Sequence, residues 1–124
     1  MNDPFILRTD ASTVGIAACL MQEHDGIIHP VMYASRKLLA REQKYAIIEL
    51  EALAVVWGVE KFSKYLEGQT FKIQTDHKPL KCIKVKKCSN KRLQRWALAI
   101  SQYSFEIEYI PGKDNVCADI LSRL

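Results

Sequence analysis

The chain has 124 residues, of which 48% are hydrophobic and 26% charged, and its formal net charge at pH 7 is +4. These values are typical of a folded globular protein, and the length predicts one domain over residues 1–124. The longest uncharged stretch, Ala11–Gln22, has twelve residues, whereas a membrane-spanning helix needs about 20. The N-terminus lacks a secretory signal, so we expect an intracellular protein with reduced cysteines.

The predicted elements describe one sheet with flanking helices. Three apolar runs joined by short turns indicate an antiparallel meander, and Pro30 suggests that the third strand lies toward an edge or starts after the proline. Gly68 ends a long run of helix formers, and Asn90 caps a second helix. In chain order the elements are strands at Phe5–Leu7, Val14–Met21 and Ile27–Ala34, a helix at Glu42–Leu66, a strand at Phe71–Thr75, a helix from Asn90 to Tyr103, a strand at Phe105–Tyr109 and a helix at Asn115–Leu124. This order predicts an α/β or mixed-sheet domain.

The positive charge is concentrated in one segment. Between Lys78 and Arg95 there are eight Lys or Arg residues and no acidic residue, so the rest of the chain is net acidic. Such a segment is typical of a surface that binds a polyanion, although a solvated lysine-rich loop would have the same composition.

Three carboxylates fall where elements end or begin. Asp10 and Asp76 lie at the ends of the first and fourth predicted strands, and Asp119 lies one turn into the last helix. Ligand sites in sheets with helical crossovers gather outside strand ends, so these acids are candidates. Each of them could equally be a turn, cap or first-turn residue.

The long helix offers a fourth acid, which its helical face selects. At 100° per residue Glu51 shares a face with uncharged residues only, whereas Glu49 lies nearly opposite, on a face that can meet water. The uncharged neighbours of Glu51 are Ile47, Ala54, Val55, Gly58 and Phe62. A carboxylate on an apolar stripe is costly unless a cation compensates it, and four acids brought together would suit Mg²⁺ or Mn²⁺.

Six strings extend this interpretation to a known family. They are TDAS (9–12), HPVMYASRKL (29–38), ELEALAVVW (49–57), YLEGQTFKIQTDHKPL (65–80), NKRLQRWAL (90–98) and YIPGKDNVCADILSR (109–123). In order and spacing they closely resemble the ribonuclease H domain of gypsy-type LTR retrotransposon polyproteins, from Phe5 to Leu124. The resemblance implies a ribonuclease H-like fold with a five-stranded mixed sheet, and an endonuclease that cuts the RNA strand of an RNA–DNA hybrid using two Mg²⁺ ions.

The family's four metal-binding carboxylates carry over onto Asp10, Glu51, Asp76 and Asp119. The resemblance implies that Asp10 bridges both ions, that Glu51 and Asp76 complete the site that positions the water, and that Asp119 holds the other ion. Many relatives have a histidine in the loop before the last aspartate, and this chain has none between Pro111 and Ala118. The resemblance therefore leaves the metal chemistry intact and puts the turnover rate in doubt.

Nucleic-acid contacts are expected from a hydroxyl near the first aspartate and from the basic segment. Ser12 is a candidate for contacts that distinguish RNA from DNA, and basic residues would meet phosphates without sequence preference. The basic candidates are Lys81, Lys84, Lys86, Lys87, Lys91, Arg92 and Arg95. Trp57 and Trp96 could stack on bases, but their helical spacing favours core packing.

Two functions remain open at this point. The first is an active nuclease, normally linked to the polymerase domain of a reverse transcriptase and working in the cytoplasm or in virus-like particles. The second is an inactive domain of the same fold that tethers or binds nucleic acid. Loss of one of the four acids would favour the second function, and none is lost.

Overall fold

The computed structural model describes residues 3–76 and 90–110, in which five strands form one sheet. The strands are β1 (Phe5–Ala11), β2 (Gly15–His24), β3 (Ile27–Lys37), β4 (Thr70–Thr75) and β5 (Ser104–Tyr109). Their order across the sheet is β3-β2-β1-β4-β5. Strands β1, β2 and β3 pair antiparallel, whereas β4 pairs parallel to both β1 and β5. The predicted mixed sheet with an antiparallel meander is therefore confirmed.

Strand β3 is the edge strand that Pro30 suggested. Among the described residues it pairs with β2 alone, and the register of this pairing shifts between Leu20 and Met21 of β2, opposite the segment of β3 that contains Pro30. Proline lacks the N–H that a ladder needs, and an edge strand tolerates this loss. The strand nevertheless extends three residues beyond the predicted end at Ala34.

The helical segment after β3 is divided, which corrects the single predicted helix at Glu42–Leu66. A short 3-10 helix at Glu42–Lys44 is followed by α1 (Ile47–Lys61) and α2 (Ser63–Leu66). Tyr45 and Ala46, between the 3-10 helix and α1, have extended backbone with ψ of 148° and 157°. The Glu42 carboxylate accepts a hydrogen bond from the Leu39 N–H and forms an ion pair with Arg36 on β3. These contacts hold the short 3-10 helix to the sheet.

The second predicted helix is shorter than expected. It forms α3 (Lys91–Ala99), and Asn90 caps it as predicted, since its Oδ1 accepts a hydrogen bond from the Leu93 N–H at 2.8 Å. The helix does not reach Tyr103: beyond Ala99 the Ser101 N–H and hydroxyl both donate to the Leu98 carbonyl, and the Tyr103 N–H donates to the Ile100 carbonyl. The predicted helix at Asn115–Leu124 lies outside the described residues.

Helix α1 packs closely on the sheet, and this packing sets how far its side chains lie from the strands. A Cβ added at Gly58 would lie 3.0 Å from the Ala18 Cβ, so this glycine allows a close approach to β2. Val55 and Phe62 on the same side of the helix are buried. Ile47 was predicted on this face, but it is the first residue of α1 and 53% exposed. In the described part of the chain, no helix is long and apolar enough to cross a membrane.

Candidate metal centre

Three of the four predicted carboxylates meet beside the C-terminal ends of β1 and β4, two inner strands of the sheet. Arg8 pairs with Gln74 on the neighbouring parallel strand, so Asp10 and Asp76 both stand two residues further on. Glu51 reaches the same place from the second turn of α1. One carboxylate oxygen from each of the three acids lies within 4.8 Å of the other two. Asp119, the fourth predicted ligand, lies outside the described residues.

Glu51 is the most deeply buried of the three acids. It is 5% exposed, and its Oε2 has no hydrogen-bond partner among the described residues. Burial raises the pKa of Glu51 from 4.5 to about 8, and the charges of Asp10 and Asp76 add to the shift, while the backbone N–H of Ala11 opposes it. The prediction that Glu51 is the anomalous buried acid of the helix is confirmed by this burial.

Asp10 is partly buried beside Glu51. Burial raises the pKa of Asp10 from 3.8 to about 6. A hydrogen bond from the Ala11 N–H to its Oδ1, at 2.9 Å, acts in the opposite direction, and the charge of Asp76 raises the pKa further. The raised pKa values of these two neighbouring acids indicate that negative charge at this site lowers the stability of the folded chain.

The donor set fits a hard divalent cation. All three residues offer carboxylate oxygens, the ligands preferred by Mg²⁺ and Mn²⁺. A bound cation would give the buried Glu51 Oε2 the partner that the described protein atoms do not provide. It would also offset the repulsion that raises the pKa values of Asp10 and Glu51.

The predicted nucleic-acid contacts have different surroundings. The Ser12 hydroxyl accepts hydrogen bonds from the N–H groups of Val14 and Gly15 in the turn after β1. Lys91 and Arg95 are exposed on α3, whereas Arg92 is half-buried and forms an ion pair with Glu49. The remaining candidates, Lys81, Lys84, Lys86 and Lys87, lie outside the described residues. Contacts of these residues with nucleic acid remain predictions.

Two ion pairs beside α1 were not predicted. Arg36 on β3 forms a double hydrogen bond with the buried Glu42 and lies over the ring of Trp57. Glu49 lies on the helical face that can meet water, as predicted, but its side chain is 14% exposed and forms an ion pair with Arg92. The hydrogen bond from the Ala46 N–H to Glu49 has no clear sequence signature, because the capping-box pattern needs Ser or Thr at the cap position and Ala46 has no side-chain acceptor. The partner Arg92, 43 residues further along the same chain, has no local signal either.

The two tryptophans pack against the hydrophobic core, as their helical spacing predicted. Trp57 and Trp96 are partly buried against the main hydrophobic cluster. They also line a cavity of about 380 Å³ between α1 and α3, together with Arg36, Leu53, Val56, Glu60, Arg95 and Ala99. This cavity does not contain any of the three clustered acids.

Comparisons with known proteins agree with the fold. The family described as the RNase H-like domain found in reverse transcriptase matches residues 1–103. The chain is 44% identical over 122 residues to the retrovirus-related Pol polyprotein from transposon opus of Drosophila melanogaster, and 42% identical over 121 residues to that from transposon gypsy of the same organism. These matches cover 98% and 97% of this chain, but only 12% and 11% of the two polyproteins.

A solved structure shows the same fold at low sequence identity. LC11-RNase H1, crystallised in complex with an RNA/DNA hybrid, superposes with a TM-score of 0.73 at 16% identity, over 94% of this chain and 92% of the other. The sheet order and the parallel pairing of β1 with β4 are thus those of an RNase H fold. With the family match over most of its length, the chain belongs to the RNase H-like domains of retrotransposon reverse transcriptases.

Proposed function

We propose that this domain hydrolyses the RNA strand of an RNA–DNA hybrid, using divalent metal ions held by Asp10, Glu51, Asp76 and Asp119. One observation carries the proposal: three acids from separate elements bring oxygens within 4.8 Å of one another, one of them on a buried side chain. A site built only to stabilise the fold would not collect charges that repel. Family membership and the LC11-RNase H1 complex with an RNA/DNA hybrid support the choice of substrate.

The chain's own residues supply a rigid frame for the chemistry. Asp10 and Asp76 are held by neighbouring parallel strands, and Glu51 by a helix that packs closely on the same sheet. The Ala11 N–H donates to Asp10 and orients its carboxylate. A pair of Mg²⁺ or Mn²⁺ ions, when bound, supplies an activated water and stabilises the leaving oxygen in phosphodiester hydrolysis.

Substrate affinity is proposed to come from phosphate contacts. Lys91 and Arg95 are exposed on α3 and can reach a polyanion. Such contacts give salt-dependent binding without sequence preference. The chain spans about a tenth of the Pol polyproteins it matches, so we propose that a linked polymerase domain normally helps to hold the hybrid. The distinction between RNA and DNA is proposed to involve the 2′-hydroxyls of the RNA strand, with Ser12 as a candidate contact.

The test is cleavage of a labelled RNA–DNA hybrid by the purified chain with Mg²⁺ or Mn²⁺. Asp76→Asn removes one charged ligand and keeps the shape of the side chain, so cleavage is expected to disappear. Asp25→Asn is the matched control, because Asp25 lies in the exposed turn between β2 and β3. Its backbone φ of 54° also suits asparagine.

The outcomes separate the two candidate functions. Metal-dependent cleavage that persists in Asp25→Asn and disappears in Asp76→Asn would establish the nuclease. Salt-sensitive binding of the hybrid without cleavage, also when a polymerase domain is fused to the chain, would favour the inactive binding domain. Equal cleavage by wild type and Asp76→Asn would mean that the acid cluster is not the reaction centre.

A further inference from the structure

A single carboxylate joins the start of α1 to α3. Glu49 Oε1 accepts a hydrogen bond from the Ala46 N–H at 2.9 Å, which caps the first turn of α1. Its other oxygen, Oε2, accepts one from Arg92 Nη1, also at 2.9 Å. Glu49 therefore acts on its own helix and on a helix 43 residues away.

Arg92 is held from a second direction. Its guanidinium lies over the ring of Tyr45, with 4.1 Å between the guanidinium carbon and the ring centroid. The Tyr45 ring in turn lies 6.0 Å from the ring of Trp96 on α3. Tyr45 directly precedes the cap residue Ala46. The two residues that hold Arg92, Glu49 and Tyr45, therefore both lie at the start of α1. A guanidinium that is paired and stacked at once has a defined orientation.

We propose that Glu49 and Arg92 are positioning residues for the metal centre, which rests on the proposed function. Glu51 lies two residues after Glu49, where the first turn of α1 passes into the second, and first turns fray unless their N–H groups are satisfied. By capping this turn and tying it to α3, the Glu49–Arg92 pair holds Glu51 close to Asp10 and Asp76. Arg92 thereby acts within the fold, whereas the sequence predicted that it meets phosphate.

A competing explanation is that the two charges act on the metal only through their electric fields. The signs of the effects distinguish the two explanations. Removing the negative charge of Glu49 weakens cation binding in either case. Removing the positive charge of Arg92 would strengthen cation binding through the field, but weaken it if the pair positions Glu51.

The deciding measurement is Mn²⁺ affinity of the full chain by calorimetric titration, since this readout needs no catalysis. We expect Glu49→Gln and Arg92→Gln each to lower the affinity by about tenfold, the low end for residues that support metal ligands from outside. The double variant is expected to lose little more than either single variant, because both remove the same interaction. Arg92→Lys, which keeps the charge, is expected to recover part of the affinity.

Lys64→Gln is the matched control, because Lys64 is an exposed cation on α2, beyond the C-terminal end of α1, whereas Glu51 lies near the N-terminal end. It is expected to leave Mn²⁺ affinity unchanged. Unchanged or higher affinity in Arg92→Gln would overturn the inference. A wild-type chain that binds no Mn²⁺ would overturn the proposed metal centre as well, so the two failures are distinguishable.

A second readout separates positioning from phosphate binding. If Arg92 contacts no phosphate, Arg92→Gln leaves the slope of log affinity for the hybrid against log salt unchanged, and the loss falls on kcat instead of KM. Lys91→Gln, on the exposed side of the same helix, is expected to reduce that slope by about one. A reduced slope in Arg92→Gln of the same size would assign Arg92 to the substrate and contradict the inference.

Discussion

Replacing Glu51 by glutamine should make the metal-free protein more stable while removing a metal ligand. Glutamine has nearly the same shape and carries no charge. In the folded wild type the buried carboxyl group is surrounded by Asp10 and Asp76, which raise its pKa together with burial. Because the folded state holds its proton more tightly than the unfolded state, stability depends on pH.

The sign and size of this effect follow from the two pKa values. Between pH 4.5 and about 8 the folded state keeps a proton on Glu51 that the unfolded state has released, so raising the pH lowers the free energy of unfolding. The full difference corresponds to on the order of 5 kcal/mol at 1.36 kcal/mol per pKa unit. This is comparable with the whole stability of a typical domain, about 5–15 kcal/mol. Relative to wild type, Glu51→Gln should therefore gain several kcal/mol between pH 4.5 and pH 8.5.

Urea unfolding with EDTA at pH 4.5 and pH 8.5 measures this gain. Glu60→Gln is the matched control, since Glu60 is exposed on the same helix, and its stability relative to wild type should change little between the two pH values. Mg²⁺ at 100 times its dissociation constant should add about 2.7 kcal/mol to wild type, and much less to Glu51→Gln. If Glu51→Gln differs from wild type by the same amount at both pH values, the burial and charge argument for Glu51 is refuted.

Three further predictions concern the frame around the site, and each is measured by urea unfolding at pH 7. Gly58→Ala should destabilise the fold by about 1–3 kcal/mol, because its Cβ would lie 3.0 Å from that of Ala18; a neutral change would mean that α1 can move away. Arg36→Met should cost about 3 kcal/mol by leaving the buried Glu42 unpaired, and Glu42→Gln added to it should recover most of the loss. Asn90→Ala should cost about 1 kcal/mol through the lost cap of α3, and an unchanged midpoint would contradict that role.

Strands and turns were well predicted because their signals are local. The alternation in Phe71–Thr75 and the proline in β3 each reflect a property of the residue itself, and the structure confirms both. The helix after β3 was predicted too long for the opposite reason. Its first residues are good helix formers, but Glu42 is held by Arg36 on β3. A contact with another element decides that boundary, and helix propensity contains no information about it.

The difference between local signals and contacts with distant residues also explains how well the surroundings of Glu49 and Glu51 were predicted. The burial of Glu51 was predictable, because only the residues on its own helical face were needed to show that its charge is out of place. Glu49 lies on the face that was predicted to be able to meet water, but helical geometry shows where a side chain points and not what covers it, and an ion pair with Arg92 leaves the side chain 14% exposed. Its partner, Arg92, comes from the segment whose basic composition suggested either a surface that binds a polyanion or a solvated loop. The basic segment thus contains exposed cations such as Lys91 and a half-buried, ion-paired cation, Arg92, and only the tertiary contact distinguishes them.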